Sequence, residues 1–445
     1  MNIFPEIEGR QLEFKEQLTN YKRFCETVVA FLNDIGGRIL IGVRNDNREL
    51  IGVSEEQIDR LIEDLPKVIF DSISPYCRPL IQTLNLNDKN LIEVKVFPGE
   101  RKPYFIKSKG IPEGVYFRIG AHNRKATAEI IEDLERQARG KHFDLDYLPN
   151  SEISDFDQDL LLQIYGERIP NTQKLLADHA LGLDAISLDL IPTISGHVYF
   201  NKKPNKIFLQ AEILLSQFAG VDSSQLLKTI DLSAPLALLA DQALTIILNW
   251  VGYNLELSSS RKIPKDHEIP RDALREAIVN ALIHRKYFFP DAVKIAVYAD
   301  RVEIYSPGNF PGLIGDLRSG MSYPRNPHLR QIARKHNLVE KRGLGLNLIF
   351  DSCLRNGNLE PKVLELDDAV KVILYRARKT KVGDFPEYAQ PLQTFYRSKQ
   401  SLSTSEATIA LGVSANTARK ILLRLTNAGF LQIKGSGRAT KYVWK

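Results

Sequence analysis

Pro270-Arg271-Asp272-Ala273-Leu274-Arg275-Glu276-Ala277-Ile278-Val279-Asn280-Ala281-Leu282-Ile283-His284-Arg285-Lys286-Tyr287 organises the middle of this 445-residue chain. Glu276, Asn280 and His284 recur at i, i+4 and i+8, so a helix sets them along one face, while Ala273, Ala277 and Ala281 line another. Downstream, Val293–Tyr298 and Arg301–Tyr305 read as a hairpin turning at Asp300 and ending in Ser306-Pro307-Gly308. Tyr323-Pro324-Arg325-Asn326-Pro327 follows, and Lys341-Arg342-Gly343-Leu344-Gly345-Leu346 opens another helix. Upstream, residues 150–265 read as a helical connector with one strand-like piece around His197–Phe200. Its longest apolar run, Leu232–Val251, is interrupted by Asp241, Gln242 and Asn249, whereas a membrane span needs about 20 nearly uncharged apolar residues. No membrane association is expected.

Residues 1–148 alternate short strands and helices. Glu13 and Lys15 share one strand face and leave Leu12 and Phe14 to a core; a helix of Tyr21–Asn33 follows. Then come Asn33-Asp34-Ile35-Gly36-Gly37, a strand Arg38–Val43 and the loop Arg44-Asn45-Asp46-Asn47. Later, Tyr116-Phe117-Arg118-Ile119-Gly120 leads into Ala121-His122-Asn123-Arg124-Lys125-Ala126 and a helix opening at Thr127.

The net charge of +6 is unevenly placed. Residues 391–445 carry nine basic side chains against one acid, Glu406, which gives that tail +8 and leaves the rest at −2. Concentrated positive charge points to a polyanion, and the near-neutral body argues against wrapping nucleic acid along the whole molecule. In the tail, Ser403-Thr404-Ser405-Glu406 is a capping box, Gly412 and Val413 make a turn, and Ser414 caps a second helix with Ala418, Ile421, Leu422 and Leu425 at helical spacing. Phe430–Ile433 and Tyr442–Trp444 read as strands around Lys434-Gly435-Ser436-Gly437-Arg438. Cys25, Cys77 and Cys353 are too few and too scattered for a disulfide scaffold or a structural zinc site. With no secretory leader at the start, a cytoplasmic protein is expected.

These motifs carry three resemblances. Residues 1–148 resemble the Schlafen AlbA-type domain, an α/β domain whose membership implies nucleic-acid binding, of RNA or of DNA. In nuclease members three carboxylates hold a divalent metal, and by motif those are Glu8, Glu13 and Asp46 here, hard oxygen donors suited to Mg²⁺ or Mn²⁺. Arg118, Arg124 and Lys125 then fit a phosphate-facing edge. The alternative makes Glu8 and Glu13 surface carboxylates and Asp46 a turn residue.

Residues 266–378 resemble a degenerate, Bergerat-like α/β sandwich related to the gyrase, histidine-kinase and MutL ATP sites. That implies ATP and Mg²⁺, with Glu276 orienting water, Asn280 holding the metal, and Gly343 and Gly345 letting backbone amides approach phosphate. Where the family's adenine-reading aspartate is expected, this chain has Ser306-Pro307-Gly308. The alternative is a retained scaffold whose polar stripe is an interdomain face.

Residues 391–445 resemble a winged helix-turn-helix, which would present Ser414, Asn416, Thr417 and Lys420 to a DNA groove and Lys434, Arg438 and Lys441 to phosphate. The combination predicts an α+β multidomain protein, a DNA-binding transcriptional regulator responsive to a nucleotide and a candidate homodimer. The competing expectation is a Schlafen-type metal-dependent nuclease acting on RNA or DNA in defence against foreign nucleic acid; a weak ATPase is the other enzyme reading. The sequence has no Gly-x-x-x-x-Gly-Lys-Ser/Thr loop, which argues against a helicase motor.

Overall fold

The computed structural model describes residues 3–168, 170–184, 188–251, 268–310, 312, 324–339, 345–366, 368–376, 387–392, 395, 399, 401–427, 430–435 and 440–444. The chain is α+β throughout. In the N-terminal unit, strand β1 (Leu12–Lys15) buries Leu12 and Phe14, as its alternation requires. Helix α1 (Tyr21–Asn33) starts where the Asn20 side chain accepts from Arg23 N and carries the chain over to β2 (Gly37–Ile41), which lies parallel to β1. After α2 (Glu55–Ser72), the hairpin β3 (Leu80–Leu86) and β4 (Lys89–Val96) completes a sheet ordered β1-β2-β4-β3. A separate hairpin, β5 (Tyr116–Ile119) and β6 (His122–Lys125), packs on α1, and Thr127 precedes α3 (Ala128–Ala138).

The connector departs from expectation. After α4 (Gln158–Tyr165), the segment expected as a strand around His197–Phe200 is a helix, α5 (Ile194–Phe200), buried on every side. The Thr193 side chain accepts from Gly196 N and starts it, and the backbone of Ala180 lies so close to Gly196 that a Cβ would stand 1.9 Å from its carbonyl oxygen. Nor is the connector only helical: β7 (Ile213–Phe218) and β8 (Leu226–Leu232) form a hairpin before α6 (Leu236–Trp250). Among the described residues no helix is long and apolar enough to cross a membrane.

That hairpin joins the next unit. With α7 (Arg271–His284), β9 (Val293–Val297), β10 (Arg301–Pro307), α8 (Pro327–Lys335), α9 (Gly345–Arg355), β11 (Lys362–Leu366) and β12 (Ala369–Tyr375), the sheet reads β8-β7-β9-β10-β12-β11. Only β7 and β9 run parallel; the other pairs are antiparallel. One continuous core takes in Phe156, Phe200 and Leu244 of the connector together with Leu274, Ile295 and Ile349. The described residues of 150–251 and of 268–376 therefore share one core.

The C-terminal unit has its own core. Helix α10 (Thr404–Leu411) begins in the reciprocal Ser403/Glu406 cap and ends at Gly412, whose φ of 63° needs no Cβ to be accommodated. Helix α11 (Ala415–Asn427) and the hairpin β13 (Leu431–Lys434) and β14 (Lys441–Trp444) close over Leu402, Ala418, Leu422, Leu425 and Trp444. Ala389 belongs to this core, so the packed unit begins ahead of residue 391.

Candidate functional site

Helix α7 holds its polar stripe over a carpet of buried alanines, Ala273, Ala277 and Ala281. Glu276 is 4 % exposed, and its Oε1 accepts from Asn280 Nδ2 at 3.1 Å, the contact that i, i+4 spacing permits. Gly345 opens α9 directly against that carboxylate: a Cβ there would stand 1.9 Å from Glu276 Oε1. The structure thus brings Glu276, Asn280 and Gly345 together at a helix N-terminus, where the dipole favours negative charge. Gly343 lies outside the described residues.

Crowding of this kind is measurable. Gly345→Ala is expected to destabilise the body by about 1–3 kcal/mol, the usual cost of overpacking. Because the clash is with one side chain, Glu276→Ala should relieve most of that cost in the double variant. Additive losses in chemical denaturation would show that the two residues do not touch.

His284 ends the stripe differently. Its Nδ1 is buried without a partner, and burial, then the charges of Arg325 and Arg330, pull its pKa down from 6.5 to about 4. His328, whose Nδ1 is also buried and unpaired, is pulled to about 4 by burial and by His179 and His142. Both imidazoles are neutral in the fold, so the unfolded chain binds more protons below its own pKa. Stability is full above pH 6.5 and is lost as pH falls toward 4. The more deeply enclosed His284 contributes up to about 3 kcal/mol, and the half-buried His328 less, because solvent screens it. Melting temperatures followed from pH 7 to pH 4 should drop in this window, and less steeply in His284→Gln; parallel curves would refute the buried neutral imidazole.

The corner expected to read adenine carries no carboxylate. Ser306 Oγ donates to Ala281 O at 2.7 Å, Gly308 takes a φ of 102°, and Arg325 Nη2 donates to Asn309 O. A guanidinium thus stands where a base-reading acid is expected. Glu276, Asn280 and Gly345 fit the polar end of a nucleotide; the Ser306–Asn309 corner does not fit an adenine amino group.

The N-terminal carboxylates do not form the expected metal centre. Glu8 Oε1 accepts from Phe14 N at 2.6 Å, and burial, partly offset by that bond, raises its pKa. Glu13 lies near Glu8, but one of its oxygens meets Lys15 Nζ and the other Arg118 Nη2 at 2.7 Å. Asp46 is exposed and accepts from Asn47 N at 2.7 Å within its turn. Among the described residues no three His, Cys, Asp or Glu side chains are placed to hold a metal ion. Two cations already satisfy Glu13 and the turn holds Asp46, so this donor set does not fit Mg²⁺ or Mn²⁺.

Arg118 also requires correction. It is 1 % exposed and donates to Gly9 O at 2.9 Å, Asn123 Oδ1 at 3.0 Å and Leu12 O at 3.1 Å, with its guanidinium over the Phe31 ring. It stitches β5 to β1 and faces no phosphate. Arg124 and Lys125 are exposed on β6, the latter paired with Glu113.

Ser414, just ahead of α11, and Asn416, Thr417 and Lys420 on it are exposed, whereas Ala418, Leu422 and Leu425 are buried. Ser414 Oγ accepts from Thr417 N at 3.3 Å and meets Thr417 Oγ1 at 2.9 Å, so these two hydroxyls form the helix cap. Lys434 and Lys441 stand exposed and directly opposite each other across the hairpin. Arg438 lies outside the described residues.

Residues 8–127 match the family model described as Schlafen, AlbA_2. The chain carries a Schlafen AlbA_2 domain. Residues 291–374 match the model described as putative ATP-dependent DNA helicase recG C-terminal, an ATPase-like domain. Both descriptions belong to nucleic-acid-related families. Among solved structures, the DIP2311 protein from Corynebacterium diphtheriae is similar at 19% identity over 98% of this chain and 92% of that one, with a TM-score of 0.43. The N-terminal domain of a putative ATP-dependent DNA helicase RecG-related protein from Nitrosomonas europaea is similar at 27% identity over 27% of this chain and 85% of that one, with a TM-score of 0.22. No curated protein matches the chain.

Arg10 of the Schlafen AlbA_2 domain went unnoticed in the sequence. Its guanidinium holds Asp34 within that domain and reaches Glu365 and, at 2.6 Å, Phe310 O of the ATPase-like domain. More than 300 residues separate Arg10 from Glu365, and no local pattern announces such a partner.

Proposed function

We propose that the chain is a cytoplasmic DNA-binding transcriptional regulator in which a winged helix at residues 391–445 reads DNA, the Schlafen AlbA_2 domain adds a second nucleic-acid contact through Arg124 and Lys125, and the ATPase-like domain responds to a nucleotide. The observation that carries this reading is the C-terminal unit, where an exposed polar helix face and opposed hairpin lysines coincide with the +8 of the tail. Glu276, Asn280 and Gly345 supply the polar end of a nucleotide site: the amide and the helix amides hold, and the carboxylate orients. ATP with Mg²⁺ would supply the triphosphate charge that these groups meet. A homodimer on two half-sites suits this geometry.

The nuclease alternative is tested by incubating labelled DNA and RNA with the protein and Mn²⁺, beside Glu13→Ala. Intact nucleic acid retained in a gel shift is the expected result. Cleavage that disappears in Glu13→Ala would replace the regulator by the nuclease.

A further inference from the structure

Where the Schlafen AlbA_2 and ATPase-like domains meet, two cations converge on one spot with unused donors. A Cβ placed on Gly308 would stand 2.4 Å from Arg325 Nη1 and 2.7 Å from Lys286 Cγ, so both side chains lie across the same glycine. Arg325 engages Nη2 on Asn309 O, while its Nε and Nη1 are shut off from solvent and find no hydrogen-bond partner among the described residues. The half-buried Lys286 ammonium faces the rings of Phe288 at 5.5 Å and Phe289 at 4.9 Å and meets no acceptor among the described residues.

Asp34, Asp133 and Asp368 all act on Lys286 through their charge, and the Asp368 carbonyl accepts from Gly308 N at 2.7 Å. Three of the nearby acids are engaged elsewhere. Asp34 and Glu365 hold Arg10, and Asp133 pairs with Arg136 at 3.6 Å. Lys102, arriving from the Schlafen AlbA_2 side, donates among the described residues to neutral oxygens, Asp34 O at 3.3 Å and Gln137 Oε1 at 3.2 Å. Burial first, and then Arg325, draws Lys286 down to about 8; burial, then Arg10, draws Arg325 to about 10. Buried donors without acceptors are costly, and two such cations side by side repel each other. One anion between them would remove both penalties. A guanidinium beside an ammonium is a donor set that oxyanions, phosphate above all, satisfy.

We propose that this corner is an oxyanion site, in which a phosphoryl dianion, free or at the end of a nucleotide, takes hydrogen bonds from Arg325 Nη1 and the Lys286 ammonium. It is separate from the Glu276 end of α7: Glu276 and His284 are eight residues apart, about 12 Å along the helix, and Arg325 lies at the His284 end. Phe310, two residues past Gly308, accepts from Arg10 of the other domain, so an anion here sits on the junction and steadies it. The site stands whether or not the tail reads DNA.

The test uses the full chain, titrated calorimetrically with inorganic phosphate at constant ionic strength and, separately, with ATP. Saturable phosphate binding that also raises the melting temperature is expected, weakened at least about tenfold in Lys286→Gln and in Arg325→Gln. Binding of ATP alone, lost in the same variants, assigns the phosphoryl group to a nucleotide; binding of phosphate alone assigns the free anion. Without ligand, Lys286→Gln should melt no lower than the wild type, because it removes a repelled charge; this separates lost binding from lost folding. No binding of either ligand, or wild-type affinity in both variants, overturns the proposal.

Discussion

Replacing Arg118 by methionine should lower the stability of the Schlafen AlbA_2 domain by about 3–5 kcal/mol, the range for breaking a buried ion pair by removing one partner. The arginine is almost wholly enclosed and bonds two carbonyls, an amide and the Glu13 carboxylate. Methionine fills part of the volume but leaves Gly9 O and Leu12 O without this donor and Glu13 with Lys15 alone. Arg118→Lys should recover little, because one ammonium cannot reach the acceptors that a planar fork spans. Calorimetric unfolding reads this as a lowered first transition. A loss below about 1 kcal/mol would mean that the buried network contributes no more than a surface pair.

The contrast between Arg118 and Glu276 shows what the sequence can and cannot reveal. Glu276 and Asn280 were legible because a helix enforces their contact within four residues, and the structure has it. Helix α1 and strand β1 were legible for the same reason: capping and alternation are local. Arg118 sits on a strand whose alternation tells only that it shares a face with Tyr116. That this face turns toward β1 is decided by packing, over a separation of more than 100 residues. His197-Val198-Tyr199-Phe200 misled differently, since branched and aromatic residues suit a strand, yet full burial lets them suit a helix equally. The hairpin β7–β8 escaped notice because Leu226–Leu232 is an edge strand, largely exposed and without a buried alternating face. The metal triad failed on electrostatics. The resemblance groups Glu8 with Glu13, but nothing local in the sequence shows that Arg118, more than 100 residues away, pairs with Glu13.

Deleting residues 387–445 should lower affinity for a specific DNA fragment by at least about 1000-fold, the common gap between specific and non-specific binding. The cut is made at 387 because Ala389 and Leu392 belong to the C-terminal core, and a cut at 391 would divide it. Point variants separate the two kinds of contact. Lys434→Gln with Lys441→Gln removes two exposed charges that the proposal turns toward phosphate, so the slope of log affinity against log salt should fall by about 1.8, equally for every sequence. Asn416→Ala with Lys420→Ala should instead cost about 1–3 kcal/mol per lost base contact and act on the specific fragment only. Ser414→Ala belongs to neither class: its hydroxyl caps α11, so it should loosen the helix start and weaken all DNA alike. A full-length chain and a deletion with the same salt slope would remove DNA reading from the tail. Arg124 and Lys125 of the Schlafen AlbA_2 domain would then be the place to look, since they remain exposed on their hairpin while Arg118 does not.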